Sequence, residues 1–361
     1  MRYLTDTRVT SRYWFLGYEC TSFYNGHFEF YWEGSYMTYC FKDELNRWVD
    51  TRDISRKDLI ALLQNNYYEE FKGLDSITLS RWFTGKSIPP IYKQFYIAKC
   101  LDIDLIEVLL RMDLSKVRYS NKHDLVISTL VRALDFSISN LSYRKVSGPP
   151  NSEIKSLTIN EYSDMFKEFN HNISPLKRFY QELQEKASDV KYQCILIKND
   201  QEATVGHWYG MVNIEGINGL PSFITLPQEE AERSCLIGVG YYTSSAHYFE
   251  LIIQALCYYL IRYSSKKDYA YFFIVDFQPL IAFSKLVFNA EEVKYYPPKE
   301  KGSMGVYLFR HNIIKSISNP VLLKKVKEKL ECLVDCDPSC NLCNLHDFRK
   351  DEMIISNGIP F

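Results

Sequence analysis

Residues 147–152, with the sequence SGPPNS, divide the chain into two parts whose hydrophobic residues follow different periods. Glycine followed by two prolines interrupts helices and strands alike, so this stretch predicts a linker. Before it, apolar residues recur at helical spacing from Phe41 onward, whereas after it strand-like runs alternate with helix-like segments. We therefore expect a multidomain protein in which an all-α domain precedes a domain of alternating strands and helices.

The length of 361 residues and a hydrophobic content of 46% are typical of a globular protein with more than one domain. The patterns predict an aromatic β-hairpin-like extension at residues 1–40, a helical domain at 41–112 and a helical connector and linker at 113–150. They further predict an α/β domain at 151–318 and a helix with a Cys-rich tail at 319–361.

The apolar runs stop short of the roughly 18 residues that a membrane span requires, and the first residues lack the pattern of a secretory signal. We therefore expect a cytoplasmic protein that does not contact a membrane. In a reducing compartment the ten cysteines would be thiols or metal ligands rather than disulfides.

Helix boundaries occur in regular order along residues 54–103. Ser55 predicts the start of one helix, Asp75 or Ser76 the start of the next, and Gly85 its end before two prolines at 89–90. One apolar set in the second of these helices should turn inward, namely Ile77, Leu79, Trp82 and Phe83.

With the run SRW at 80–82, Gly85-Lys86 and the prolines in this order, the segment resembles the lambda-repressor-like, or XRE-type, helix-turn-helix family over roughly seventy residues. The resemblance implies double-stranded DNA as a partner and a homodimer. Carried over by motif position, one set would face the major groove: Arg56, Ser76, Thr78, Ser80 and Arg81. Thr84 and Lys86 would lie near phosphates. Taken singly, each residue also fits a solvated helix face or a cap.

Two features depart from this family. The connection at residues 64–72 is longer than the tight turn usual there. Residues 41–120 contain 13 Lys and Arg against 12 Asp and Glu, and the whole chain has a net charge of -1, so the basic surplus of a nucleic-acid binder is absent. A scaffold that uses both domains for protein contacts alone therefore remains an alternative.

In the second part, Val205-Gly206 and the run FSKLVF at 283–288 resemble signatures of the GNAT acetyltransferase family. The resemblance covers about 130 residues and implies an α+β domain with a mixed sheet. The family binds the CoA pyrophosphate with glycine-bearing loop amides at a helix start. Here residues 241–250 lack glycine, carry bulky side chains and include Glu250, so we expect a domain without catalytic residues that does not bind CoA. Ser244, Ser245 and His247 remain candidates for a small anionic ligand, or for a helix cap.

Four cysteines and one histidine fall within fifteen positions near the C-terminus: Cys332, Cys336, Cys340, Cys343 and His346. Thiolates at this density can close a tetrahedral Zn site. An iron-sulfur cluster and reduced thiols without metal are the alternatives.

Together these patterns predict a sequence-specific DNA-binding transcriptional regulator of bacterial type. Its GNAT-like domain would serve dimerisation or the sensing of a small-molecule effector, and the chain would not be an enzyme. The alternative is an acyl-CoA-dependent N-acyltransferase with a helical accessory domain.

Overall fold

The computed structural model describes residues 39–115, 117–136, 151–186, 190–299, 301 and 303–334. All of them belong to one compact unit. None of the helices in these ranges is long and apolar enough to cross a membrane.

The part before the linker is helical. Its helices are α1 (Phe41–Thr51), α2 (Arg56–Asn66), α3 (Tyr68–Phe71), α4 (Ser76–Phe83), α5 (Ile91–Cys100), α6 (Leu105–Arg111) and α7 (Asn121–Asp135). The predicted caps are confirmed, because the side chains of Ser55 and Asp75 accept hydrogen bonds from the N–H groups of Asp58 and Thr78. The short helix α3 occupies the long connection noted at residues 64–72.

Helix α4 buries most of the apolar set predicted for it. Leu79, Trp82 and Phe83 are buried, but Ile77 is 62% exposed, so its prediction was wrong. Ile77 lies two positions before Leu79, which on a helix of 3.6 residues per turn places it on the opposite face.

The part after the linker is an eight-stranded mixed sheet. Its strands are β1 (Asn151–Leu157), β2 (Tyr192–Lys198), β3 (Thr204–Met211), β4 (Ser234–Ile237), β5 (Tyr241–Tyr242), β6 (Tyr269–Val275), β7 (Glu291–Tyr296) and β8 (Val306–Asn312). The strand order is β1-β2-β3-β4-β6-β8-β7, and β5 pairs with β3. Only β4 and β6 pair in parallel among the described strands.

Helices cover both faces of this sheet. They are α8 (Ile159–His171), α9 (Lys177–Lys186), α10 (Gln228–Glu232), α11 (Ser245–Arg262), α12 (Gln278–Val287), α13 (Ile313–Ile317) and α14 (Pro320–Val334). Phe166 of α8 and Phe179 of α9 join the core on one face. Leu251 of α11 packs on the other face against Ile195 and Ile197 of β2. The predicted mixed sheet is therefore confirmed.

A buried charge cluster joins the helical part to the sheet. The Lys99 ammonium of α5 lies 2.6 Å from the Asp268 carboxylate, which also pairs with the Arg233 guanidinium. A second contact joins the two parts of the protein. The Lys327 ammonium of α14 donates to the carbonyl oxygens of Leu110 and Met112, at 2.7 and 2.6 Å. A buried charge needs such partners, so these contacts fix the helices against the sheet.

Candidate functional site

A β-bulge separates β4 from β5, the two short strands that pair with β3. Ile237 at the end of β4 pairs with Gly210, and Tyr241 at the start of β5 pairs with His207. The three residues 238–240 between β4 and β5 thus lie opposite only two residues of β3, 208 and 209. One extra residue on one side of a strand pair is what defines a bulge. Beta-bulges often stand next to functional sites because they redirect backbone groups.

The same point is where β4 and β6 separate. Their parallel pairing ends with Ile237 opposite Phe272, whereas β6 continues to Val275 along β8. Beyond this point the two strands share no paired residues, and we call the gap between their carboxyl ends the crevice. In open α/β sheets, ligands bind beyond the carboxyl ends of parallel strands.

The bulge leaves two backbone amides open. Gly238 donates its N–H to the Tyr209 carbonyl oxygen at 2.8 Å, but within the described ranges no acceptor is found for the N–H of Val239 or Gly240. Val239 is 5% exposed, so this amide belongs to a buried residue and is a candidate donor to a ligand. Glycine is required on both sides, because a Cβ at Gly238 or Gly240 would overlap the ring of Tyr209 or Trp208.

Helix α11 begins just beyond the bulge and carries all three residues predicted for a small ligand. Ser244 is the N-cap, and its hydroxyl accepts the N–H of His247. Ser245 donates its backbone N–H and its hydroxyl to the two carboxylate oxygens of Asp135 on α7, each at 2.6 Å. The His247 ring lies 2.9 Å from the Thr243 hydroxyl, and burial lowers its pKa. The start of α11 therefore already holds an oxyanion from within the chain.

On the face covered by α8 and α9, the crevice is bordered by a network of hydroxyl groups. The Tyr209 hydroxyl lies 2.7 Å from that of Tyr180 and donates to Asn170, whose amide donates to Tyr162. Burial raises the pKa of all three tyrosines far above the usual value. They therefore stay protonated and act as neutral hydrogen-bonding groups.

His207 is a candidate that the sequence analysis missed. It lies on β3 opposite Tyr241, is 4% exposed, and packs against the rings of Phe166 and Phe169. Its Nε2 atom has no hydrogen-bond partner among the described residues, and burial lowers its pKa to about 4. The signal in the sequence was a histidine at an inward position of a strand, two residues before Tyr209.

The residues predicted to contact DNA lie on the surface of the helical part. One shallow depression is lined by Ser76, Ile77, Ser80, Arg81, Thr84 and Lys86. The Arg56 guanidinium lies 4.5 Å from the centre of the Phe83 ring, and Thr78 is half-buried beside its cap. The structure thus groups five of the seven predicted residues, and their contacts with DNA stay a prediction.

The predicted metal ligands fall mostly outside the described residues. Cys336, Cys340, Cys343 and His346 lie beyond residue 334, and Cys332 is exposed on α14. Within the ranges that the structure describes, no group of three or more His, Cys, Asp or Glu side chains is arranged to hold a metal ion. The Zn assignment stays a prediction.

No family model matches the chain, and no curated protein matches it. Several solved structures do match part of it. A chimera of the Vibrio cholerae spermidine N-acetyltransferase SpeG is 11% identical, with a TM-score of 0.27, over 46% of this chain and 98% of its own. A mutant form of the same enzyme is 10% identical, with a TM-score of 0.30, over 46% and 96%. A protein described as a phosphinothricin N-acetyltransferase is 9% identical, with a TM-score of 0.29, over 45% and 98%.

The names of these proteins disagree with the functional prediction. Two are N-acetyltransferases and the third is described as one, so the comparisons contradict the prediction of a DNA-binding regulator with a non-catalytic GNAT-like domain and the expectation that the chain is not an enzyme, and they agree with the alternative of an N-acyltransferase. The matched proteins are acetyltransferases, which is the class that the sequence pattern after the linker resembles. At such low identities and TM-scores the likeness gives no substrate or mechanism, so these must be sought in the geometry of this chain.

Proposed function

We propose that residues 151–318 bind an acyl-CoA thioester in the crevice between β4 and β6 and transfer its acyl group to an amine. The observation that carries this proposal is the open amide of the buried residue Val239 at the point where the two strands separate. A donor held in place by the backbone of the bulge stabilises the negative charge that forms on a thioester carbonyl oxygen during attack.

The crevice suits the rest of such a ligand. The amide-containing arm of CoA is an extended chain of the kind that strand edges bind through backbone hydrogen bonds, and the open amide of Gly240 is available to it. The pyrophosphate would then reach the start of α11, where helix N–H groups favour anions. Because the Asp135 carboxylate binds Ser245 there, CoA must displace it.

The reaction itself needs no further co-reactant. The amine nitrogen attacks the thioester carbon, a C–N bond forms and the C–S bond breaks. One proton leaves the amine and one is taken up by the CoA thiolate. The chain's contribution is to polarise the carbonyl group through Val239 and to exclude water with the aromatic residues around Tyr209.

The test measures thiol release from acetyl-CoA with a panel of primary amines, using two substitutions at one position. Val239→Pro removes the N–H, whereas Val239→Ala retains it and serves as the matched control. We expect Val239→Pro to lower kcat by about 10²- to 10³-fold, as for the loss of one oxyanion donor, while Val239→Ala stays near wild type.

The affinity for CoA without an acyl group distinguishes the loss of the Val239 N–H from misfolding. Free CoA has no thioester carbonyl group, which is the group that this N–H is proposed to bind. Val239→Pro should therefore keep its CoA affinity and its melting temperature. Equal kcat in both variants would remove the amide from the mechanism. If no amine in the panel gives thiol release with wild type, the proposed activity is refuted.

A further inference from the structure

A cavity of 130 Å³ lies between the sheet and α11 and reaches Ile237 and Phe272, where the crevice begins. It runs beneath Ala255 and Leu256 of α11, across Ile195 on β2 and Leu236 on β4, as far as Phe272 on β6. Protein interiors contain few voids larger than a water molecule. An engineered apolar cavity of about 150 Å³ in another protein binds benzene, so this one has room for about six carbon atoms.

Polar groups collect at the mouth of this cavity. Gln193, Tyr263 and Lys267 line both the cavity and a neighbouring open cleft, which places them where the two meet. The Tyr258 hydroxyl donates to Gln193 at 3.0 Å and lies 3.4 Å from the Tyr263 hydroxyl. An apolar pocket with a few convergent polar groups is the usual form of a small-molecule site.

The charge at the mouth favours an anion. The cleft is lined by four lysines, Lys186, Lys191, Lys266 and Lys267, against two glutamates, Glu215 and Glu232. Lys267 is 4% exposed, and its ammonium donates to the backbone carbonyl of Glu232 at 2.6 Å. The carboxylates of Glu215 and Glu232 stabilise its charge without forming an ion pair with it among the described residues, so the excess of lysines over glutamates still favours an anionic ligand here.

We propose that this cavity binds an aliphatic monocarboxylate of about six carbons, with its chain beneath α11 and its carboxylate at Lys267 and Tyr263. The site does not depend on the acyltransferase proposal, since it lies beneath the C-terminal half of α11 and contains neither Val239 nor Ser245.

Calorimetry on the full chain with sodium hexanoate tests the proposal. Three ligands serve as comparisons. Hexan-1-ol has the same number of carbon atoms as hexanoate but no charge, hexylamine carries a positive charge instead of a negative one, and butyrate has a shorter hydrocarbon tail. We expect hexanoate to bind at least about tenfold more tightly than each of the three. Equal affinity for hexan-1-ol, tighter binding of hexylamine, or no heat with hexanoate would each overturn the proposal.

Substitutions locate the ligand. Lys267→Met should weaken hexanoate at least about tenfold and leave hexan-1-ol unchanged. Lys324→Met, at an exposed position of α14 outside the cavity and the cleft, should change hexanoate binding less than about threefold. Ala255→Phe should abolish binding of both by filling the cavity. If Lys267→Met fails to fold, Tyr263→Phe replaces it. Wild-type affinity for hexanoate in Ala255→Phe would show that the ligand lies elsewhere and refute the site.

Discussion

Replacing Asp135 by alanine tests whether the chain blocks its own anion site. Its carboxylate accepts two hydrogen bonds of 2.6 Å from Ser245, one from the backbone N–H and one from the hydroxyl. Hydrogen bonds to a charged group contribute about 1.5 to 3 kcal/mol each, and a negative charge at a helix start adds about 0.3 to 1 kcal/mol. Since paired contacts to one residue are not additive, we take about 3 kcal/mol for the whole contact.

A ligand that must displace this carboxylate loses the same free energy from its own binding. At about 1.4 kcal/mol per tenfold, Asp135→Ala should strengthen CoA binding by up to about 100-fold. The same variant should lower the free energy of unfolding in urea by about 3 kcal/mol, because the contact also fixes α7 against α11.

Isothermal titration with CoA is the assay, and Asp124→Ala is the matched control. Asp124 is exposed in the first turn of α7, so its loss removes one charge from the same helix away from α11. We expect its CoA affinity to stay within about threefold of wild type. If Asp135→Ala binds CoA no more tightly than wild type, Asp135 is only a structural cap. If none of the three proteins binds CoA, the acyltransferase proposal fails instead.

Two further predictions concern stability. Asp268→Asn should lower the free energy of unfolding in urea by about 3 to 5 kcal/mol, because it leaves the charges of Lys99 and Arg233 without their buried partner; a loss under about 1 kcal/mol would contradict this. His207 has a pKa lowered to about 4 by burial, so its contribution is complete above the unfolded-state value of about 6.5 and is lost as the pH falls toward 4. Stability should fall by about 3 kcal/mol over that window, and less in His207→Gln; denaturation curves that coincide at pH 7 and pH 5 would refute this.

The sequence predicted the central strands well and missed the edges of the sheet. Strand β6 coincides with the apolar run YAYFFIV at 269–275, one of the strand-like runs after the linker, because a central strand buried on both faces needs such a run. Strand β1, with the sequence NSEIKSL, was assigned in part to the linker, and β7, with EEVKYY, was not expected. Edge strands carry polar residues, and their conformation here comes from pairing with β2 and β8.

The candidate site depends on contacts between distant residues, which explains why only part of it was predictable. Ser244 could be recognised as a cap, since capping depends on neighbours three residues away. The bulge around Val239 depends on the register between β3 and the two short strands opposite. Asp135 binds Ser245 across 110 positions of sequence, and no local pattern marks that pair.

The sequence analysis expected that the loop at 241–250 does not hold the CoA pyrophosphate. That expectation rested on three features: the missing glycines, the bulky side chains and Glu250. The structure shows a contact that bears on each of them. Ser245 already binds two carboxylate oxygens without a glycine beside it. Tyr241 packs against His207, and Tyr242 against Tyr248, so both rings have partners within the chain. The Glu250 carboxylate lies 2.8 Å from the ammonium of Lys329 on α14, which compensates its charge. What stands between this helix start and an external oxyanion is therefore the carboxylate of Asp135, a group that one substitution removes.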